Sequence, residues 1–144
     1  MKEAYTHSDQ EMWSVAREVL YSLKGQNVIL LKGELGAGKT TFAQGVLRAL
    51  EAEGPFTSPT FVIMKKYDLK KQDFQAAYHI DCYRVGSIDL QELGWEEIIK
   101  DPNNLVLVEW PEMIIDIIPS QHVLVEIEIL DKIRRLLKIT DNRQ

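Results

Sequence analysis

Apolar residues along the chain follow two different spacings, and these predict both helices and strands. Between residues 8 and 24 they recur every three or four positions, which predicts an amphipathic helix. Ser8 and Glu11 have the spacing of a capping box at the start of that helix. Two uninterrupted apolar runs, 28–31 and 105–108, instead predict strands that are buried on both faces, as in a parallel sheet.

The remaining patterns predict the order of the other elements. A helix is expected at 39–53, strands at 61–67 and 74–81, a short helix at 90–100, and strands at 123–129 and 133–140. The polar link between the first two of these strands predicts a hairpin, and the alternating pattern of the last two predicts antiparallel pairing with one exposed face. We therefore expect a single α/β domain over residues 1–144, with a mixed central β-sheet flanked by helices and antiparallel C-terminal strands.

Composition narrows the class of protein without identifying it. The chain has 17 Lys and Arg against 22 Asp and Glu, a formal net charge of −5, so no broad nucleic-acid-binding surface is expected. Cys82 is the one cysteine, which excludes an internal disulfide and fits a reducing cytoplasm. The N-terminus lacks a signal-peptide pattern, and no run approaches the about 18 apolar residues of a membrane span. We expect a cytoplasmic protein with no membrane segment.

A glycine-rich segment between the first buried strand and the next helix fits a phosphate-binding loop, or P-loop. Residues 33–40 match G-x-x-x-x-G-K-[ST] at every fixed position. In such a loop the backbone N–H groups bind phosphates, the lysine reaches the β- and γ-phosphates, and the next hydroxyl binds Mg²⁺. We therefore expect ATP and Mg²⁺ to be bound by Gly33, Leu35, Gly36, Ala37, Gly38, Lys39, Thr40 and Thr41.

Magnesium beside a P-loop usually has a second protein ligand, an acidic residue at the end of a buried strand. Glu109 directly follows the apolar run 105–108, and Asp81 ends the strand predicted at 74–81. An acid placed after four buried residues is costly unless it is used. Either residue could share the metal with Thr40, and the pattern alone does not choose between them.

Four further features each have a functional and a structural interpretation. The hydroxyls of segment 57–60 could respond to a γ-phosphate, or the segment could be an ordinary turn. His79 could move protons, although a half-buried structural histidine is the commoner case. We expect Trp110 to pack or to contact a partner, and Cys82 to be structural.

The segments 33–42, 57–61, 79–84 and 108–112 form a combination with a characteristic order and spacing. The first segment alone is shared by very many proteins, whereas the four together are much more specific. In this combination the chain resembles the TsaE family, the bacterial ATPases of threonylcarbamoyladenosine synthesis on tRNA. The resemblance covers nearly the whole chain, from residue 6 to residue 140.

The resemblance implies a fold, an activity and partners. Members of that family are small P-loop ATPases with a mixed central sheet. They act with TsaD and TsaB, which transfer threonylcarbamoyl to the adenosine beside the anticodon of tRNAs that read ANN codons. The implied protein is an ATP hydrolase that is weak alone and stimulated by its partners, that reaches tRNA through the complex, and whose nucleotide cycle supports repeated turnover. The oligomeric state of the isolated chain does not follow from the resemblance.

The resemblance also implies roles for individual residues. Thr40 and Glu109 correspond to the metal ligands, and Asp81 corresponds to a residue implicated in hydrolysis together with Lys39. Asp9 and Arg134 are the nearest matches to residues that border the nucleotide. Cys82 stands where most members have leucine, an apolar-compatible change that affects no central residue.

Two other functions use the same loop. A small-molecule kinase would need an acceptor pocket and usually an arginine-bearing lid, and the six arginines form no lid-like cluster. A nucleotide-responsive binding module would bind ATP without meaningful turnover, which the intact loop and metal ligands disfavour. Phosphate transfer to a nucleoside without any partner would favour the kinase, and unchanged hydrolysis after removal of Asp81 would exclude its catalytic role.

Overall fold

The computed structural model describes residues 1–56, 63–70 and 73–143. Its strands are β1 (Lys2–Thr6), β2 (Val28–Gly33), β3 (Met64–Asp68), β4 (Ala76–Asp81), β5 (Asn104–Glu109), β6 (Gln121–Ile129) and β7 (Arg135–Arg143). Its α-helices are α1 (Asp9–Tyr21), α2 (Lys39–Ala49), α3 (Ser87–Glu92) and α4 (Trp95–Lys100), and a 3₁₀-helix covers Pro111–Ile117. The elements confirm the α/β class.

The strands form one mixed sheet with a parallel centre. In the described part of the chain the strand order is β1-β7-β6-β2-β5-β4-β3. Strand β2 runs parallel to β5 and β6, and β4 runs parallel to β5. The outer pairings, β1 with β7, β6 with β7 and β3 with β4, are antiparallel. The carboxyl ends of β2, β4 and β5 therefore meet at one edge, which is where ligands bind in sheets of this kind.

Two hydrophobic clusters, one on each face of the sheet, explain the uninterrupted apolar runs. Ile29 and Leu31 face a cluster built mainly with α1 and α2. Val28 and Leu30 face a second cluster that includes Leu90, Trp95 and Ile114 from the opposite layer. Since successive strand residues point to opposite faces, a strand covered on both sides must be apolar at every position.

The helix starting at Asp9 is capped slightly differently from the predicted box. The Ser8 hydroxyl accepts a hydrogen bond from the Glu11 N–H at 3.1 Å, as the spacing predicts. The Glu11 carboxylate, however, accepts from the N–H of His7 at 2.8 Å. In a standard capping box the Glu11 carboxylate would accept from the N–H of Ser8. Here it accepts from the N–H of His7, one residue upstream.

Several predicted boundaries differ from the observed ones. The helix expected at 90–100 is two short helices, because Gly94 adopts a left-handed conformation with φ of 91° between them. Helix α2 ends at Ala49 rather than at residue 53, and β7 begins two residues later than expected. Residues 61 and 62 of the strand predicted at 61–67 lie outside the described residues, and so does the segment 57–60 that could respond to a γ-phosphate. Strand β1 was not predicted, since Lys2–Thr6 is short and largely polar and forms a strand by pairing with β7.

The α-helices in the described part of the chain are short, the longest being α1 with 13 residues. None of those in the described ranges is long and apolar enough to cross a bilayer.

Candidate functional site

The loop between β2 and α2 joins the carboxyl end of a central strand to the start of a helix. Gly36 and Gly38 have φ angles of 82° and 115°, a region that strains residues with a side chain. A Cβ atom at Gly33 would lie 2.7 Å from the Ile127 carbonyl oxygen of β6. Gly38 has no side chain to cap α2, so the first N–H groups of that helix have no side-chain cap. Backbone N–H groups at a helix start attract anions, phosphates above all.

Lys39, the first residue of α2, is folded inward against the same loop. Its side chain is buried, and Nζ donates to the carbonyl oxygens of Gly33 at 2.6 Å and Glu34 at 3.0 Å. The ammonium also lies 4.2 Å from the ring centre of Trp110. Burial lowers the pKa of Lys39, while the carboxylates of Glu109, Glu112 and Asp81 act in the opposite direction. An anion in the loop would supply the close opposite charge that these carbonyls do not.

Thr40 and Glu109 meet across the end of the sheet. The Thr40 hydroxyl lies 3.2 Å from Oε1 and 3.1 Å from Oε2 of Glu109. Glu109 is only 3% exposed, and its Oε2 also lies 2.6 Å from Nε2 of His79. The structure therefore brings together the hydroxyl and the carboxylate oxygens that the sequence assigns to a metal.

Asp81 lies beside Glu109, since the two residues are paired in register at the ends of β4 and β5. Its Oδ1 accepts a hydrogen bond from the Tyr83 N–H at 2.9 Å, which fixes the carboxylate. Burial raises the pKa of Asp81, that hydrogen bond opposes the shift, and the nearby Glu109 carboxylate adds to it. A carboxylate with a raised pKa accepts a proton more readily than an ordinary aspartate.

A cavity of about 440 Å³ connects these residues and is large enough to admit phosphates. It is lined by Leu35, Gly36, Gly38, Lys39, Thr40, Thr41, Asp81, Tyr83, Arg84, Glu109 and Trp110. Sequence reasoning left the role of Arg84 open and made no assignment for Tyr83. The rings of Tyr83 and Trp110 lie 5.0 Å apart and form one wall. Aromatic pairing across two separate loops has no local sequence signal.

A second cavity of about 310 Å³ lies on the other side of the loop and contains Asp9. It shares Gly36, Gly38 and Thr41 with the first cavity, so the two lie on either side of the same three residues. Its other lining residues include Thr6 to Ser8, Met12 and Ile133. This combination of apolar and polar groups suits a nucleoside whose phosphates extend into the first cavity.

The structure does not bring Arg134 to this second cavity but brings its neighbour there. Arg134 Nε donates to Asp131 Oδ2 at 2.7 Å, and the hydrogen bonds from the backbone N–H and the side chain of Arg134 hold the pKa of Asp131 well below its usual value. Arg135 lines the cavity instead and donates from Nε to the Ala37 carbonyl oxygen at 3.0 Å. Adjacent residues at a strand start face opposite ways, so a shift of one residue decides which arginine reaches the loop.

Replacing Arg135 with methionine is expected to weaken nucleotide binding about fivefold, equivalent to ~1 kcal/mol, because a charge-assisted bond to the loop is lost. Titration of the purified protein with a fluorescent ADP analogue measures the effect. Arg134→Met is the matched control and is expected to bind like the parent protein. If only Arg134→Met weakened nucleotide binding, the arginine beside the nucleotide would be Arg134, as the resemblance implies.

Cys82 is fully buried among the apolar side chains of the second cluster. Burial, with the charges of Asp81 and Glu109, raises the pKa of its thiol to about 12. The reactive thiolate is therefore scarce at neutral pH. This placement agrees with the structural role expected from the sequence.

Comparisons with known proteins agree on one family. A family model described as Threonylcarbamoyl adenosine biosynthesis protein TsaE matches residues 6–137. The tRNA threonylcarbamoyladenosine biosynthesis protein TsaE of Aquifex aeolicus is 36% identical, with 96% of each chain covered, and that of Rickettsia felis is 36% identical, with 94% and 78% covered. The crystal structure of Bacillus subtilis YdiB superposes with a TM-score of 0.79 at 26% identity, covering 98% of this chain and 85% of the other. The chain therefore belongs to the TsaE family of threonylcarbamoyladenosine biosynthesis proteins.

Proposed function

We propose that this protein is a Mg²⁺-dependent ATPase subunit that acts with TsaD and TsaB to modify tRNAs reading ANN codons with threonylcarbamoyladenosine. The observation that carries the proposal is the meeting of Lys39, Thr40, Asp81 and Glu109 around one glycine-rich loop. Binding and hydrolysis of a nucleoside triphosphate require a glycine-rich loop, a lysine, a hydroxyl group and carboxylates, and all of these groups are present here. Membership of the family supplies the link to tRNA modification.

The loop binds the triphosphate mainly through charge and backbone donors. The amides of Gly36 and Gly38 and the start of α2 provide N–H groups fixed in advance by the fold. Lys39 exchanges its two carbonyl contacts for phosphate oxygens, which are stronger partners because they are charged. Preorganised donors of this kind stabilise the negative charge of the transition state without further rearrangement.

The residues present fit a magnesium ion. The Thr40 hydroxyl and the Glu109 carboxylate are hard oxygen donors about one hydrogen bond apart, and Mg²⁺ in phosphate sites commonly has only one or two protein ligands. Within the described ranges, no group of three or more His, Cys, Asp and Glu side chains is arranged to bind a metal on its own. When bound, Mg²⁺ would neutralise charge on the phosphates and orient them.

Asp81 acts on the water that attacks the γ-phosphorus. It orients this water, accepts its proton as the new P–O bond forms, and the bond to the bridging oxygen of ADP breaks. The raised pKa of Asp81 favours the proton transfer, and the hydrogen bond from Tyr83 keeps the carboxylate in place. Inorganic phosphate and ADP are the products.

In this role the chain is a subunit that acts through partner proteins. Both cavities adjoin the loop and suit a nucleotide, and a net charge of −5 does not favour an independent tRNA-binding surface. We expect TsaD and TsaB to make the main tRNA contacts. We also expect slow hydrolysis by the isolated chain, since partners often complete a P-loop site in trans.

The test is to measure ATP hydrolysis by the purified protein alone, then with TsaD and TsaB, with and without tRNA. We expect stimulation of about tenfold or more by the two partners, because a group supplied in trans can accelerate phosphoryl transfer by orders of magnitude. Omission of Mg²⁺ should remove the activity. Absence of stimulation, together with transfer of phosphate to a nucleoside acceptor, would contradict the proposal and favour a kinase.

A further inference from the structure

His79 contacts Glu109 and yet lies outside the cavity where a phosphate would bind. We propose that His79 is a positioning residue that fixes the Glu109 carboxylate as a metal ligand. The inference rests on the proposed function, since it concerns the magnesium site assigned there. It adds a residue to that site that acts through another side chain rather than by touching substrate or metal.

The pairing of β4 with β5 explains how the contact arises. His79 is opposite Leu107, and Asp81 is opposite Glu109, one alternation further along both strands. Alternate residues share a face, so His79, Asp81 and Glu109 all lie on the side that α2 covers. His79 therefore sits one step deeper in the sheet than the two carboxylates, on the side away from the open edge.

The contact itself is short and buried. Nε2 of His79 lies 2.6 Å from Oε2 of Glu109, with side chains 1% and 4% exposed. A carboxylate can only accept, so Nε2 donates the hydrogen bond. A buried carboxylate that loses such a donor keeps its desolvation penalty without the compensating bond. The donor therefore determines where the carboxylate can point.

Both carboxylate oxygens of Glu109 lie near the Thr40 hydroxyl, Oε1 at 3.2 Å and Oε2 at 3.1 Å. Oε2 is shared by His79 and the Thr40 hydroxyl, whereas Oε1 has the Thr40 hydroxyl as its described partner. Fixing one oxygen of a planar group restricts rotation of the whole carboxylate. His79 thus holds the Glu109 carboxylate beside the Thr40 hydroxyl, in the arrangement that a shared cation requires. In many metal sites, residues that hydrogen-bond to a metal ligand without touching the metal orient that ligand.

Another histidine of the chain shows what a purely structural contact looks like. Nδ1 of His122 lies 2.8 Å from the backbone carbonyl oxygen of Pro119, at the start of β6 and far along the sheet from the loop. His79 instead donates from Nε2 to the side-chain carboxylate of Glu109, the proposed metal ligand. It also does not line the cavity that contains Glu109, which disfavours direct proton transfer to a substrate.

The test measures metal affinity separately from catalysis. A fluorescent ADP analogue is titrated into the full-length protein at increasing Mg²⁺, and binding of Mn²⁺ in the presence of ADP is followed by electron paramagnetic resonance. In His79→Leu we expect the half-saturating Mg²⁺ concentration to rise about 10- to 100-fold, the usual effect of losing an outer partner of a metal ligand. Binding of the ADP analogue without metal should stay within about twofold of the parent, because the loop contacts are untouched.

Two further variants keep the test informative if His79→Leu does not fold. The amide of His79→Gln can reach the position of Nε2 and should restore Mg²⁺ affinity, whereas the shorter His79→Asn cannot reach and should resemble the leucine variant. His122→Leu serves as the control for loss of a partly buried histidine. Equal Mg²⁺ half-saturation in the parent, His79→Asn and His79→Gln would overturn the inference. A parent protein whose ADP binding ignores Mg²⁺ would overturn the proposed function as well.

Discussion

Lys39→Ala is expected to remove productive nucleotide binding, with ADP and ATP affinity reduced at least about 100-fold, or ~2.7 kcal/mol. The side chain is the one cation that the loop itself provides, and bonds between charged partners are the strong ones. Isothermal titration calorimetry with ATP and Mg²⁺ measures the loss directly. Hydrolysis should fall to the background rate in the same preparation.

Folding of the Lys39→Ala variant should be intact, which separates a binding defect from unfolding. Because burial lowers the pKa of Lys39, its charged form is disfavoured in the folded state, and removing it should not lower the melting temperature at neutral pH. Lys32→Ala is the matched control, since this exposed lysine lies on β2 directly before the loop. Normal ATP affinity in Lys39→Ala would refute the assignment of the loop as the phosphate site.

Asp81→Asn is expected to reduce hydrolysis by about 100-fold or more, the usual contribution of a general base, with ATP affinity within about threefold of the parent. The asparagine retains an oxygen that can accept the Tyr83 N–H, so the local backbone should be preserved. Single-turnover hydrolysis in the presence of TsaD and TsaB gives the rate, and calorimetry gives the affinity.

The thermal stability of Asp81→Asn provides an independent test of the raised pKa of Asp81. The raised pKa of Asp81 means that the folded protein binds its proton more tightly than the unfolded chain does. Its stabilising effect is therefore complete below the unfolded pKa of about 3.9 and is lost as pH rises through the higher folded value. At neutral pH without metal, Asp81→Asn should melt at or above the temperature of the parent.

Asp101→Asn controls for the change of side chain in this experiment. Its Oδ1 accepts from the N–H two residues ahead at 2.9 Å, the same local geometry as at Asp81, but it lies after α4 and away from the cavity. We expect normal hydrolysis in this variant. Equal rates for Asp81→Asn and the parent would exclude Asp81 from the chemical step and direct attention to Glu109.

Local patterns predicted the parts of the site that lie close together in sequence. The loop, Lys39 and Thr40 belong to one contiguous motif, and the buried runs before it and before Glu109 predicted two buried strands, which pair in parallel in the structure. The carboxyl end of a buried strand is a good place to expect an acid that binds a ligand. Asp81 was likewise expected at a strand end, but its place beside Glu109 became visible only from the pairing of β4 with β5.

Features that depend on pairing between distant residues escaped prediction. The bond between His79 and Glu109 requires the register of β4 against β5, and the contact from Arg135 to the loop spans 98 residues. Strand β1 needs β7 as its partner before its short polar sequence becomes a strand. Tertiary context decides such cases because intrinsic β-propensity is weak and context-dependent.

The pairing of β1 with β7 also bears on how the protein acquires its site during synthesis. On a ribosome, β1 emerges before the other strands, but β7, its neighbour in the sheet, is translated more than 120 residues later. The loop and α2 can fold early, since their contacts with α1 are comparatively local. The cavity that contains Asp9 and Arg135 can form only after β7 has emerged, so a nascent chain should be unable to retain nucleotide before that point.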